Sequence, residues 1–402
     1  QSHMYLREDC WNARPDPWSV LGPASLNPET RWLLACVRSL DGQDAPAPPP
    51  IPLNWDLLLA SAEAEGLAPA LGFAFKAKAP EAMPLAVRER LSRHLAHSVA
   101  CQLVLSRELA GLLRRFEDAG LPVIPLKGPA LAESLYPDPA LRPSSDLDLL
   151  IRPESLLRVD ALLQGLGYRR MPDAHSWGFD IAYDRATLYE GPSGVRVDLH
   201  WGLLSDPRYS WNEGEGLTAW DRAVRIRVAG EEALGLTPED LLLYLALHLA
   251  VHHGLAGLLW YWDLFLILDR WGGTLDWRAV IERASRWRVR TALYFALIGL
   301  ELFFGASAPA SVMARIRPRG PRAAAIGWLL RHRGAQRRAQ LEPLIALLLA
   351  DRGRTLLAPL GHVLCPPPAW VRARYAGAGS SLLTQYLAHY RGAGEVMRRI
   401  LT

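Results

Sequence analysis

The most constraining stretch of this chain is six residues long. Asp146-Leu147-Asp148-Leu149-Leu150-Ile151 alternates acid with aliphatic and then runs apolar. Side chains in a strand point to opposite faces in turn, so the pattern predicts a strand with Asp146 and Asp148 on one face and Leu147 and Leu149 in a core. Two carboxylates that close repel each other unless a cation or solvent comes between them. The spacing that fixes the strand therefore also suits one or two hard divalent ions. Val195-Arg196-Val197-Asp198-Leu199-His200-Trp201 alternates as cleanly, with Arg196, Asp198 and His200 opposite Val195, Val197 and Leu199. If this second strand pairs beside the first, Asp198 joins as a third ligand.

The rest of the middle third is short and rich in turns. Pro122-Val123-Ile124-Pro125-Leu126 reads as a strand, and Lys127-Gly128-Pro129 opens a helix through Tyr136. Proline suits the first helical turn, where its missing N–H costs nothing. A proline-rich loop from Tyr136 to Ser145 leads into the acidic strand, and Pro153-Glu154 starts a helix that ends at Gly165 or Gly167. Further strands are expected at 168–171, 179–190, 194–201 and 223–228, with Gly191-Pro192-Ser193-Gly194 as a hairpin turn.

On both sides of this segment the periodicity is helical. Residues 25–115 carry apolar side chains at three- and four-residue intervals, most clearly from Pro84 to Phe116, with a proline-rich connector from Ala45 to Pro52 that no helix can cross. Thr237-Pro238-Glu239-Asp240 is an N-cap with acids in the first turn, and helices follow to the Cys365-Pro366-Pro367-Pro368 break. The expected organisation is α+β. A tag remnant (1–4, Gln1-Ser2-His3-Met4) precedes an N-terminal helical region (5–116), a core with a small mixed sheet (117–232) and a C-terminal helical domain (233–402).

Composition excludes more than it names. At 402 residues the chain has room for two or three domains, and 50% hydrophobic with 21% charged residues describes a folded protein. A net charge of +4 with no long basic run argues against an extended nucleic-acid track. Cys10, Cys36, Cys101 and Cys365 show no paired spacing, which suits a reducing cytoplasm. The apolar stretches from Ala292 to Pro309 and from Leu344 to Leu364 are interrupted by charges or turns, so buried helices are expected and no membrane insertion.

A triphosphate would need cationic and backbone donors. Lys127-Gly128 lies at a strand-to-helix turn, where N–H groups attract anions, and Lys127 adds a full charge. Arg142, Ser144 and Ser145, just before Asp146, are further candidate donors. Each element alone has a plainer reading: Asp-x-Asp also occurs in sugar transferases, phosphatases and exposed strands, and Asp198 on an open face serves solubility. In the helix after Thr237, His248 and His252 share a face. They read as zinc ligands, as core or cleft-lining side chains, or as substrate contacts. Asp263, inside Trp260-Tyr261-Trp262-Asp263-Leu264, is a candidate base or histidine partner, or a buried structural acid.

Several runs occur in series: Leu126-Lys127-Gly128-Pro129-Ala130-Leu131, Leu135-Tyr136-Pro137-Asp138-Pro139, Arg142-Pro143-Ser144-Ser145-Asp146-Leu147-Asp148, Val197-Asp198-Leu199-His200-Trp201 and Leu236-Thr237-Pro238-Glu239-Asp240. Together they resemble the uncharacterised bacterial nucleotidyltransferase family of the polymerase-β-like superfamily, some members of which are encoded beside lasso-peptide biosynthesis enzymes. The resemblance implies a polymerase-β-like nucleotidyltransferase core flanked by N- and C-terminal helical regions. It makes Asp146, Asp148 and Asp198 the catalytic, metal-binding acids, and Lys127, Gly128, Arg142, Ser144, Ser145 and His200 the nucleotide contacts. It further implies Mg²⁺ or Mn²⁺, ATP as the expected triphosphate, release of pyrophosphate, and a small metabolite, peptide or protein as acceptor. Lys127-Gly128 stands where the wider superfamily has Gly-Ser or Gly-Gly, so a lysine contact replaces the usual serine hydroxyl. Two other readings keep these residues: a nucleotide-binding or interaction module without turnover, and another Mg²⁺-dependent phosphotransferase.

Overall fold

The computed structural model describes residues 26–40, 52–76, 80–171, 185–203, 218–319, 323–327, 348–349, 351, 366–375, 379 and 381–401. The tag remnant, most of the Ala45 to Pro52 connector, the first part of the expected 179–190 strand, Cys365 and nearly all of the stretch from Leu344 to Leu364 lie outside them.

The middle of the chain forms a five-stranded mixed sheet. Its strands are β1 (Val123–Pro125), β2 (Asp146–Ile151), β3 (Arg169–Arg170), β4 (Ala186–Glu190) and β5 (Arg196–His200), in the order β1-β2-β5-β4-β3. Strand β2 runs parallel to β5 and every other neighbour is antiparallel. The parallel pair is possible because the chain leaves β2 through a helix before returning, the connection that parallel strands require. The turn from Gly191 to Gly194 joins β4 to β5 as expected, with the Gly191 N–H donating to the Val195 carbonyl at 2.8 Å.

A separate hairpin, β6 (Val224–Val228) and β7 (Glu231–Gly235), follows. The sequence pattern predicts β6 but not β7, whose Glu-Glu-Ala-Leu-Gly run lacks the β-branched residues that mark a strand. The two-residue turn between them has both residues in the left-handed region, Ala229 at φ 53° and Gly230 at φ 82°. That is the geometry that matches strand twist in a tight hairpin.

Helices supply the rest. Before the sheet come α1 (Pro28–Arg38), α2 (Trp55–Ala64), α3 (Ala68–Ala74) and the long α4 (Leu85–Asp118). Within the sheet region lie α5 (Pro129–Leu135) and α6 (Leu156–Gly165). After it come α7 (Ala219–Arg222), α8 (Pro238–Leu247), α9 (Leu258–Trp271), α10 (Trp277–Arg286), α11 (Arg290–Phe304) and α12 (Ala310–Ile316). The α8 N-cap is as the sequence suggests: the Thr237 side chain accepts from the Asp240 N–H at 3.3 Å, and Pro238 sits in the first turn. The stretch from Ala292 to Pro309 is mostly α11, a buried helix, and among the described residues no helix is long and apolar enough to cross a membrane.

Two apolar cores divide the work. The first joins α1 to α3 with α8 to α12, so helices from opposite ends of the chain share one interior around Trp32, Leu71, Trp262 and Phe295. Glu65 ties them further, its carboxylate accepting from the Leu258 N–H at 2.7 Å and its carbonyl from the Leu259 N–H at 3.2 Å. The second packs Leu147, Leu149, Val197 and Leu199 against Leu109 and Phe116 of α4 and Val159 and Leu163 of α6. Strand alternation sends the acids of β2 and β5 to the sheet's other face, where Lys127 lies against Asp148.

Candidate functional site

The parallel register of β2 and β5 sets Asp148 opposite Asp198, Asp146 opposite Arg196 and Leu150 opposite His200. Partners across a ladder share a face, so the inferred strand pairing does bring Asp198 beside Asp148. Asp148 is buried, Asp146 and Asp198 are half-buried, and His200 is buried two residues beyond Asp198. Ligand atoms of Asp148, Asp198 and His200 all lie within 4.8 Å of one another. The most compact donor group among the described residues is therefore two carboxylates and an imidazole. Asp146, at the start of β2, stands outside it, next to the exposed Arg196.

Positive charge faces these acids from two sides. The Lys127 ammonium lies 2.8 Å from Asp148 Oδ1. His200 Nε2 lies 3.1 Å from Asp198 Oδ2 and 3.4 Å from Asp148 Oδ1. Burial alone would raise the Asp148 pKa, but Lys127 and His200 outweigh it and hold the carboxyl down at about 2. Burial would likewise lower His200, yet Asp198 and Asp148 pull it up to about 9. Asp146 is raised, first by burial and then by the charge on Asp148. The group is charged, paired and suited to a divalent cation: buried carboxylate oxygens with an imidazole behind them.

The turn after β1 explains its own glycine. Gly128 has φ 62° and ψ −135°, and a Cβ there would stand 3.1 Å from the Asp146 carbonyl oxygen. Glycine allows both the backbone conformation and the close approach to β2. The Leu126 N–H donates to the Asp148 carbonyl at 2.9 Å, which fastens this turn directly to the acidic strand. Lys127 is thereby aimed at Asp148.

The other basic candidate goes elsewhere. Arg142 is buried, and its guanidinium donates to both oxygens of Asp263 in α9, at 2.9 Å each, and to Ser144 Oγ at 3.1 Å. Tyr136 donates to the same Asp263 at 2.5 Å, and Gln102 of α4 donates to the Arg142 carbonyl at 2.6 Å. Asp263 thus meets an arginine and a tyrosine, not a histidine, and the loop before Asp146 is fixed from two helices. Ser145 Oγ donates to Asp146 Oδ1 at 3.5 Å, while Ser144 stays beside Arg142.

The histidines lie at the end of the helix after Thr237, as expected, but the last turn is wound differently. Residues His248–His252 form a single π-helical turn at the end of α8, a distortion found often at functional sites. The wider turn sets His253 on His248, with the two Nε2 atoms 3.0 Å apart, in addition to the expected neighbour His252. The Lys127 ammonium lies 3.5 Å from His248 Nε2. Burial, then Lys127, keeps the His248 pKa well below its ordinary value, and burial, then His252, lowers His253 to about 4. Both shifts favour the neutral ring. His253 carries little sequence signal beyond its place before Gly254, because an α-helix would rotate it away from His248.

Residues 52–305 match the family described as an uncharacterised nucleotidyltransferase. That span holds the whole sheet, the acidic group, the Lys127 turn, the Arg142 loop and the π-turn. No curated protein and no solved structure matches the chain.

Proposed function

The chain belongs to the uncharacterised nucleotidyltransferase family, and is an enzyme of that class; we propose that it moves a nucleoside monophosphate from a triphosphate, with ATP the expected donor, to an acceptor hydroxyl with release of pyrophosphate. The observation that carries this reading is the register match of Asp148 with Asp198, with Lys127 lying against Asp148. The polymerase-β-like identity of the core is part of the same proposal.

Asp148 and Asp198 would hold a divalent cation, Mg²⁺ or Mn²⁺, with Asp146 supplying a further oxygen and His200 orienting the other two. Such an ion, when bound, neutralises phosphate charge and polarises the phosphoryl group. His200 fixes the Asp198 carboxylate in direction, as partners behind metal ligands do. Lys127 would meet the triphosphate from the side of the turn, and Gly128 leaves the backbone open to close approach. The acceptor oxygen would bond to the α-phosphorus as the bridging oxygen to the β-phosphorus leaves with pyrophosphate. The acceptor's proton passes to Asp198, within hydrogen-bond reach in this scheme.

Arg142 and Ser144 take a different part from direct phosphate contact. Their bonds to Asp263 and to each other support a role in fixing the loop that delivers Asp146 to the sheet. The acceptor class stays as broad as small metabolite, peptide or protein, and the lasso-peptide association belongs to this proposal as one source of a peptide acceptor.

The test is incubation of the protein with each labelled nucleoside triphosphate, Mg²⁺ or Mn²⁺ and a bacterial lysate, followed by mass spectrometry. A nucleotidylated product with stoichiometric pyrophosphate, lost in Asp148→Asn, is the expected result. Release of a nucleoside diphosphate with a phosphorylated product would replace this reading by a phosphotransferase. Nucleotide binding without any product would replace it by a binding module.

A further inference from the structure

Lys127 is the one lysine at the site among the described residues, and a flexible four-carbon side chain holds a fixed direction only if its ammonium is tied at more than one point. Asp148 is the first tie, at 2.8 Å. The second is His248, whose Nε2 lies 3.5 Å away. An ammonium can only donate, so His248 must present a bare Nε2 to it and carry its proton on Nδ1. The same bare Nε2 faces His253 Nε2 at 3.0 Å, so His253 donates there and the single lone pair is shared between its N–H and the ammonium. The two imidazoles are thereby set in complementary tautomers by Lys127.

Their scaffold is built in detail. The π-turn His248–His252 brings the rings together. His253 then stacks on Trp260, with centroids 4.3 Å apart and planes 16° from parallel, while His248 meets the same indole edge-on at 5.1 Å. Gly257, at φ 95°, leaves the room: a Cβ there would stand 2.7 Å from Trp260 Cδ1. Leu255, a non-glycine at φ 60°, holds the same loop, with its N–H bonded to the Leu249 carbonyl at 3.0 Å and its carbonyl accepting from Tyr261 at 3.1 Å. A left-handed leucine costs energy that the surroundings must supply, and here it closes the loop that carries His253.

Resting on the triphosphate reading above, we propose that the His248–His253 pair, braced by Trp260, is the positioning device of Lys127, fixing its ammonium so that a donor remains for the triphosphate. Neither histidine touches the reacting atoms. His248 acts through Lys127, and His253 acts through His248.

The probe is inorganic tripolyphosphate with Mg²⁺, which tests the phosphate contact without any choice of base, and the measurement is calorimetric affinity. His248→Phe keeps the ring and removes the acceptor, so the affinity should fall about tenfold or more, the scale of one lost hydrogen bond to a charged group. His248→Gln places an amide oxygen near the former Nε2 and should recover most of that loss. In a Lys127→Met background, His248→Phe should cost almost nothing further, since coupled residues do not add. His253→Phe, which preserves the stack on Trp260, should weaken binding about threefold by releasing His248, and it decides the matter if His248→Phe does not fold. Full affinity in both phenylalanine variants overturns the pairing. So does a glutamine variant as weak as the phenylalanine one, or an undiminished loss on the Lys127→Met background. If the unaltered protein binds no tripolyphosphate, the triphosphate reading itself falls, a result distinct from binding that ignores the histidines.

Discussion

The two sides of the site are built by different rules. On the sheet side, Asp148, Asp198 and His200 stand where strand alternation sends them, and the β2–β5 register brings them into one group. On the helical side, Lys127, Arg142, Ser144 and the histidines reach partners 121 residues away for Arg142–Asp263 and for Lys127–His248. Strand geometry translates sequence spacing directly into distance. Loop and turn side chains instead take whichever partner the packed helices present, so similar residue types end in different roles: Lys127 against an acid of the site, Arg142 locked behind it.

Removal of an acid from the sheet side should have the largest effect. Asp148→Asn should lower pyrophosphate release by about a thousandfold or more, the equivalent of several kcal/mol of lost charge stabilisation. Its unfolding midpoint in urea should fall too, because Lys127 and His200 lose a buried carboxylate partner, so turnover is read on protein shown by circular dichroism to be folded. A variant with near-normal turnover would remove Asp148 from the chemistry.

On the helical side the largest effect should be on stability. Asp263→Ala leaves a buried guanidinium and a buried phenol without their shared acceptor, and loss of one member of such a pair costs about 3 kcal/mol, at the lower end because Arg142 retains Ser144 and the Trp260 face. Urea unfolding measures it. An unchanged midpoint would show that the Arg142 loop is held by something else.

The next effect is in pH. His200 has its folded pKa raised to about 9 by Asp198 and Asp148 against the opposing pull of burial. Its contribution is complete below its ordinary pKa of about 6.5 and disappears as the pH rises through 9. Without divalent ions, the protein should lose on the order of 2 kcal/mol over that window, and His200→Gln should flatten the curve. Asp148, lowered to about 2, acts with the opposite sign: its contribution is complete above about 4 and is lost as the pH falls through 2. A curve for His200→Gln that still declines between pH 6.5 and 9 would assign the effect to another group.

The smallest effect belongs to the turn joining the two sides. Gly128→Ala forces a side chain into a left-handed conformation 3.1 Å from the Asp146 carbonyl, at a cost of about 1 kcal/mol in stability. Because the displaced group would be the start of β2, affinity for magnesium tripolyphosphate should fall more than the melting temperature suggests. Proportionate loss of both would reduce Gly128 to a fold residue.

Much of the fold was legible for the same reason as the acids. The alternation in 146–151 and 195–201, the Gly191 to Gly194 turn, the Thr237 cap and the long helix from Pro84 all depend on neighbours within a few residues, and each has its counterpart in β2, β5, the hairpin, α8 and α4. Strand β7 escaped because its residues have weak strand preference and are fixed by pairing with β6. The His248–His252 contact expected from the spacing is present, and the π-turn adds His253 against His248 Nε2.

The sequence by itself determined which residues face the site from the strands, because a period of two is a covalent property of an extended chain. It also determined that glycine and proline punctuate the turn at Lys127, since glycine admits that positive φ and proline suits that helix start. Only the tertiary structure decided that β2 and β5 lie side by side in register, that Arg142 turns back to Asp263, and that Lys127 is shared between Asp148 and His248. Those outcomes depend on which distant surfaces share a core, and here helices from both ends of the matched region share one. Burial then sets the charges: the same aspartate, lysine and histidine side chains would be independent in water and are coupled here because a low-dielectric interior leaves each as the other's partner.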